Sequence, residues 1–388
     1  MIRRFSADVA IVGGGLVGSS AALALRKAGL SVILMDKGFC GAQASGVNYG
    51  GVRRQGRSVA QLPLSQRAHQ IWPRLKELIG IDGEYQRSGH LKLARKPEDF
   101  ARLEQYAETV KPFGLNLELF TGAMAKTRFP WLSGNVAGAS FCPDDGQANP
   151  RLVSPAFAKA ARDAGAIVLE QTAVHAAVRT SDGFALQAGT DCEITCHFLI
   201  NSAGAWANKI ATDFDEPAPL SRIYPSMVVT EPLALRLPVS LGEEGGGFYC
   251  RQVQRGNYIM GGGRGYALID PDFSRPSTAA ALAVMKRATT LFPHLAGAHV
   301  IRFWSGTEGQ LPDNNPVIGR SGTTPGLFHA FGFCGAGFQV APAVGAILCD
   351  LVTSGETATP IAAFSIERFH NMPPQHNKKK GTHNEMVE

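Results

Sequence analysis

The stretch from Asp8 to Gly38, DVAIVGGGLVGSSAALALRKAGLSVILMDKG, constrains the fold more than any other part of the chain. Val9 to Val12 is a short apolar run with the character of a strand buried on both faces. Gly13, Gly15 and Gly18 then spell G-x-G-x-x-G. Leu16 to Ala28 reads as a helix with Gly29 as its C-cap, and Ser31 to Met35 as a second apolar strand closed by Asp36. Each glycine has its own task. Gly13 permits the sharp strand-to-helix turn, Gly15 lets a diphosphate approach the backbone, and Gly18 lets helix and strand pack closely. The helix N-terminus offers free N–H groups and a partial positive charge to that diphosphate. Asp36, about twenty residues on, is placed to accept hydrogen bonds from an adenosine ribose. Strand, glycines, helix, strand and acid in this order predict a dinucleotide-binding unit at the start of the chain. The order alone does not separate NAD from FAD.

A chain of 388 residues is too long for one small core, so two domains, or one large domain with insertions, are expected. The net charge of +6 is accompanied by no basic helix and no basic stripe interleaved with aromatics, which argues against nucleic acid as a partner. Part of the excess lies in the polar segment NKKKGTHNEMVE, and residues 373–388 are expected to form a flexible tail. The seven cysteines are odd in number and lack CxxC spacing. No disulfide framework and no metal site are expected, and a reducing, cytoplasmic location fits. Cys192 and Cys196 read as strand residues. The opening MIRRF resembles the start of a twin-arginine signal, but Asp8 interrupts the approach to the apolar run. No stretch reaches the ~20 apolar residues of a membrane span.

The run after Asp36, KGFCGAQASGVNYGGVRRQGRS, is rich in Gly, Ala, Ser and Asn where an NAD dehydrogenase would enter another helix and strand. Such a composition suits backbone wrapping an extended ligand. Three later segments extend the pattern. A helix near 151–163 leads to a strand at 166–170 and another around Val174. A strand ending at Ile200 meets the small residues Ser202, Ala203, Gly204 and Ala205. A strand at 327–330 leads through Gly332, Gly335 and Gly337 to a helix from about Phe338. A helix N-terminus aimed at the N1–C2=O edge of a flavin would stabilise its reduced, negative form, by up to about 2 kcal/mol when partly buried. NAD needs no such second glycine turn.

Together with ASGVNYGGVR, DDGQANP, NSAGAWA, LPDNNPVIG and GFCGAGFQVAPAVG, the opening motif resembles the FAD-dependent D-amino-acid and amine oxidoreductases, a group that includes glycine oxidase, sarcosine oxidase and the D-amino-acid dehydrogenases. The resemblance runs to about residue 370. ASGVNYGGVRRQGR is most similar to the flavoprotein subunits of opine oxidase, hydrogen cyanide synthase and multi-subunit sarcosine oxidase. It implies an α/β fold, with a Rossmann-like FAD-binding domain (1–85, 145–218 and 320–372) interleaved with an α+β substrate domain built on a mixed sheet (86–144 and 219–319). It also implies non-covalent FAD, since some relatives attach it through a Cys where Gly306 stands here.

By the same resemblance Gly13, Gly14, Gly15, Leu16, Val17 and Gly18 meet the diphosphate, and Asp36 and Lys37 the adenosine end. Ser45, Asn48, Gly50, Gly51 and Val52 line the flavin, and Val174 reaches the adenine. Ser202, Ala203, Gly204 and Trp206 pack beside the cofactor. Gly335, Ala336, Gly337, Phe338 and Gln339 close over the pyrimidine edge. The implied reaction is hydride transfer to flavin N5 from a carbon bearing nitrogen, giving an imine that hydrolyses.

The segment GGGFYCRQVQRGNYIMGGGRGY reads as a meander of strands carrying Tyr249, Arg251, Tyr258 and Arg264. Glycine oxidase and D-amino-acid oxidase carry an Arg where this chain has Glu308, so the carboxylate clamp of those enzymes is absent at that position. Glu308 either faces a cationic amine or bonds within the pocket. Arg53, Arg251 and Arg264 are the remaining candidates to grip a carboxylate. Tyr249 is a further candidate site residue. His69 and His90 lie between the flavin loop and the substrate region, and His90 begins a strand that could approach the flavin face. Partner subunits carrying an iron–sulfur cluster or a second flavin follow from the subunit resemblance. Alternatives are a 2-hydroxy-acid dehydrogenase on the same scaffold, a flavin-binding subunit without its own activity, and an NAD dehydrogenase.

Overall fold

A computed structural model describes residues 2–267 and 272–370; the expected tail at 373–388 lies outside the described residues. Two large mixed sheets organise the chain. The first has the order Val317–Arg320, Leu327–Phe331, Cys192–Asn201, Arg3–Val12, Val32–Met35, Ile167–Leu169. Its middle pairings are parallel, and Val317–Arg320 runs antiparallel at one edge. Two antiparallel strands, Phe184–Ala188 and Val174–Arg179, branch from Cys192–Asn201.

The central strand begins almost at the first residue, and Val9, Ala10 and Ile11 within it are fully buried. The helices Leu16–Lys27, Pro150–Asp163 and Gly337–Thr353 share one apolar core with it. That core mixes residues from the beginning, middle and end of the chain. Parallel neighbours need covered faces, and helices contributed from three distant segments supply the cover. A second cluster, including Ile33, Leu199 and Phe214, fills the opposite face.

The second sheet has the order Val300–Ser305, Pro225–Pro232, Asn257–Arg264, Tyr249–Gln252, Ser240–Glu243, His90–Ala94, Gly138–Cys142, Glu118–Thr121. All its pairings are antiparallel except that of Ser240–Glu243 with His90–Ala94. The two-residue period of a strand divides its faces. Leu91, Leu93, Val228, Leu241, Phe248, Cys250, Tyr258 and Met260 form a core with the helix Thr278–Leu291. His90, Lys92, Met227, Gly242 and Tyr249 face the other way, into a cavity.

Candidate active site

A cavity of about 720 Å³ lies between the C-terminal ends of the parallel strands and the uncovered face of the second sheet. That volume lies within the range of sites that hold drug-sized ligands or cofactors. Its nucleotide end follows from the opening motif. Gly13 sits at φ +106°, and a Cβ there would stand 2.3 Å from the Ser202 carbonyl oxygen. A Cβ on Gly18 would stand 2.0 Å from the carbonyl oxygen of Gly13, so helix and turn are in direct backbone contact. Gly15 differs: it is the N-cap at φ −63°, and a Cβ on it would meet only Ser45 Oγ, at 3.1 Å. The helix it caps has no side-chain cap and no acid in its first turn. One of its N–H groups, that of Leu16, donates to Ser45 Oγ at 2.9 Å. Asp36 accepts from the Gly14 and Gly38 N–H groups, each at 2.7 Å, and burial raises its carboxyl above the usual range.

The adenosine side is tied across the chain. Lys37 Nζ lies 2.6 Å from Asp272 Oδ2 and 3.7 Å from the Trp206 ring centroid. Arg222 Nη1 lies 3.2 Å from Asp272 Oδ1, which also accepts from the indole N–H of Trp206. Of the residues expected at the cofactor, Gly13, Gly15, Val17, Asp36, Lys37, Ser45, Asn48, Gly50, Gly51, Val174, Ser202, Ala203, Gly204, Trp206, Gly335, Gly337 and Phe338 line the cavity. Gly14, Leu16, Gly18, Val52, Ala336 and Gln339 stand behind the lining. Gln339 Nε2 donates to Ser65 O at 2.9 Å, and Leu16 and Val52 are core residues.

At the far end, the helix Gly337–Thr353 also begins without a side-chain cap or an acid in its first turn. The Gly335 turn before it is held from two sides. Its N–H donates to Glu308 Oε1, and its carbonyl accepts from Arg57 Nη1 at 3.2 Å. Glu308 therefore bonds within the pocket. Burial raises its carboxyl, while the Gly335 N–H and the charges of Arg57 and Arg264 act in the opposite direction. Arg57 is 6% exposed, and burial together with neighbouring Arg53 brings its guanidinium down to about 9. Arg53 Nη1 and Lys92 Nζ would lie 3.0 and 3.3 Å from a Cβ on Gly56, so both cations converge beside that glycine. Lys92 pairs with Glu244. Neither Arg53 nor Arg57 forms an ion pair with a carboxylate among the described residues.

Other candidates are placed differently. Arg251 shares the strand face of Tyr249 but lies outside the lining, because Tyr49 and Gly50 stand between it and the cavity. Its Nη2 would be 2.9 Å from a Cβ on Gly50, and its guanidinium is 5.9 Å from the Tyr49 ring. Arg264 is exposed and reaches Gln310 instead. Tyr258 points into the second core, where its hydroxyl meets His294 Nε2 at 2.9 Å. His69, on the helix Leu62–Ile71, does not line the cavity. His90 and Tyr249 do. Arg57 and Lys92 were missed as site residues by sequence reasoning. Their signals were the spacing of four from Arg53 and the strand alternation with His90.

The residues fit FAD: two uncapped helix N-termini open on one elongated cavity, and glycines that a Cβ would fill line one end. In comparison with known proteins, residues 8–351 match the family described as FAD dependent oxidoreductase (DAO). The chain is 30% identical over 373 residues to glycine oxidase of Geobacillus kaustophilus (strain HTA426), covering 93% of this chain and 97% of that one. It is 25% identical over 382 residues to one of the opine oxidase subunits of Rhizobium meliloti, covering 94% and 98%. The crystal structure of L-proline dehydrogenase from P. horikoshii superposes with a TM-score of 0.86 at 28% identity, covering 95% of this chain and 98% of that one. Among the described residues no helix is long and apolar enough to cross a membrane. The nucleotide-end glycines, the flavin-side turn and these matches together make the chain a member of the DAO family of FAD-dependent oxidoreductases.

Proposed function

We propose that this enzyme oxidises the carbon–nitrogen bond of an amino acid or a secondary amine bearing a carboxylate. The observation that carries this reading is the pair Arg53 and Arg57, two cavity-lining guanidinium groups without a carboxylate partner among the described residues. A buried, unpaired cation is costly, and a ligand carboxylate compensates it. Glycine oxidase and L-proline dehydrogenase, to which the chain is similar, are named for amino-acid substrates.

FAD, when bound, accepts the hydrogen and electron pair lost by the carbon that bears nitrogen. The residues of the chain do the rest. Arg53 and Arg57 hold the carboxylate and so fix which carbon presents its C–H. Glu308, with its carboxyl raised by burial, is suited to take up the proton that the substrate ammonium must lose. Tyr249 and Phe338 give the cavity apolar walls. The imine formed hydrolyses in water. The site assignments and the two-domain division belong to this proposal. So does non-covalent attachment, supported by Gly306 in the lining. A cytoplasmic location is supported by seven cysteines that are all free thiols. A partner chain carrying an iron–sulfur cluster or a second flavin is supported by the similarity to the opine oxidase flavoprotein, itself named as one part of a larger enzyme.

The test is anaerobic mixing of purified, FAD-containing protein with glycine, sarcosine, D-amino acids, opines and 2-hydroxy acids. Bleaching near 450 nm by one or more of the amines supports the reading. Bleaching by 2-hydroxy acids alone replaces it with alcohol oxidation, and no bleaching by any of them leaves a flavin-binding subunit.

A further inference from the structure

His90 is 3% exposed at the start of the strand His90–Ala94, with its ring at the cavity. Its Nδ1 lies 2.9 Å from Ser240 Oγ, on the parallel neighbouring strand at the paired position. The Ser240 hydroxyl in turn lies 3.1 Å from the Gly89 carbonyl oxygen. A hydroxyl has one proton. With that proton directed at Gly89, Ser240 Oγ accepts from His90, and the imidazole proton belongs on Nδ1. Nε2 is then a bare lone pair.

No protein donor meets Nε2 among the described residues. Gly242 leaves the space in front of it open: a Cβ there would lie 3.6 Å from both Cε1 and Nε2. The charged groups around the ring are Arg53 and Arg57, from the loop after Gly51–Val52, and Lys92 on its own strand. Ser240, from the paired strand, is uncharged. Burial first, and these three cations second, keep the ring neutral. Three positive groups also favour a lone pair, rather than an N–H, on the side that faces them.

We infer that His90 is a positioning residue whose Nε2 accepts a hydrogen bond from the N–H of the substrate nitrogen while Arg53 and Arg57 hold its carboxylate. This rests on the amine-oxidation reading above. An acceptor and two anion-binding groups on one wall fix the substrate at two points, which sets the orientation of its C–H. No bond to carbon changes at His90, and the ring stays neutral throughout.

The test compares His90→Asn with His90→Gln in the FAD-loaded protein. Asn retains a donor for Ser240 but removes the acceptor. Gln carries an acceptor oxygen out to the place of Nε2. The measurement is the second-order rate constant for anaerobic flavin bleaching by glycine, sarcosine, L-proline and D-alanine, with flavin content and Tm as controls. The expected result is a loss of about tenfold in His90→Asn and of no more than about threefold in His90→Gln, at equal flavin content. Ser240→Ala, which leaves the ring but frees its tautomer, gives a smaller loss in the same direction. Equal losses in both His90 variants, or none in either, overturn this inference alone. Failure of every probe to bleach the wild type overturns the parent reading, and this inference with it.

Discussion

The two ends of the cavity are made by different means. At the nucleotide end the chain works with backbone: glycines at fixed places, uncapped helix N–H groups and a single carboxylate, Asp36. At the substrate end it works with side chains projected from strands and loops far apart in sequence, among them Arg53, Arg57, His90, Lys92, Tyr249 and Glu308. The first kind of site resists substitution because space is the functional element. The second kind resists it because charge is.

The largest expected effect separates two glycines within the nucleotide end. Gly13→Val forces a side chain into positive φ and against the Ser202 carbonyl. It should destabilise the fold by more than about 4 kcal/mol, seen as loss of soluble protein or of cooperative melting. Gly15→Val meets no such strain, because its φ is −63° and its Cβ points toward open space. It should leave the far-ultraviolet circular dichroism intact and abolish flavin absorbance. If Gly15→Val retains normal FAD, the nucleotide end has been wrongly placed.

At the substrate end, Arg53→Met should lower the bleaching rate constant by roughly 10- to 100-fold, the range for a charged hydrogen bond, with flavin content unchanged. A proportional loss of FAD would instead assign Arg53 to the cofactor. Glu308→Gln acts more gently, because an amide oxygen still accepts from Gly335. Burial raises the Glu308 carboxyl, so its ionised form is a cost to the folded state above the folded pKa. The variant should therefore raise the Tm of the FAD-free protein at pH 7 by about 2 °C. That gain should fade as pH falls through the usual carboxyl range. A gain that grows toward acid pH contradicts the assignment. Smallest of all, Arg264→Ala should change turnover less than about twofold, since Arg264 is exposed and outside the lining. A large effect would move the substrate end outward.

The same contrast explains how much was legible in the sequence. Residues 8–36 could be read closely because their contacts are local: a strand, a turn and the helix it starts. The second glycine turn, before the helix Gly337–Thr353, was legible for the same reason. The substrate end was not, because it depends on which strands become neighbours. His90 meets Ser240 across a sequence separation of 150 residues. Nothing local in RSGHLKLA announces that pairing, although the alternation His90, Leu91, Lys92, Leu93 does announce a two-faced strand. Tyr258 shows the limit of reading polar residues in a meander, since its register sends it into the core. Arg251 has the favourable register and is still excluded, because Tyr49 fills the intervening space. Register can be inferred from a pattern, whereas obstruction by a residue about 200 positions away cannot.

The helix Leu16–Lys27 is among the first elements a ribosome would deliver, yet the helix that packs on it, Gly337–Thr353, is among the last. The strand Leu327–Phe331 that extends the first sheet beyond Cys192–Asn201 also comes late. During synthesis the second sheet, whose strands end at Ser305, is complete before the first can close. A nascent chain of this protein must therefore carry an oily, uncovered helix for most of its translation. Any message cut short before the codon for Thr353 leaves that surface bare, a ready target for chaperones and proteases.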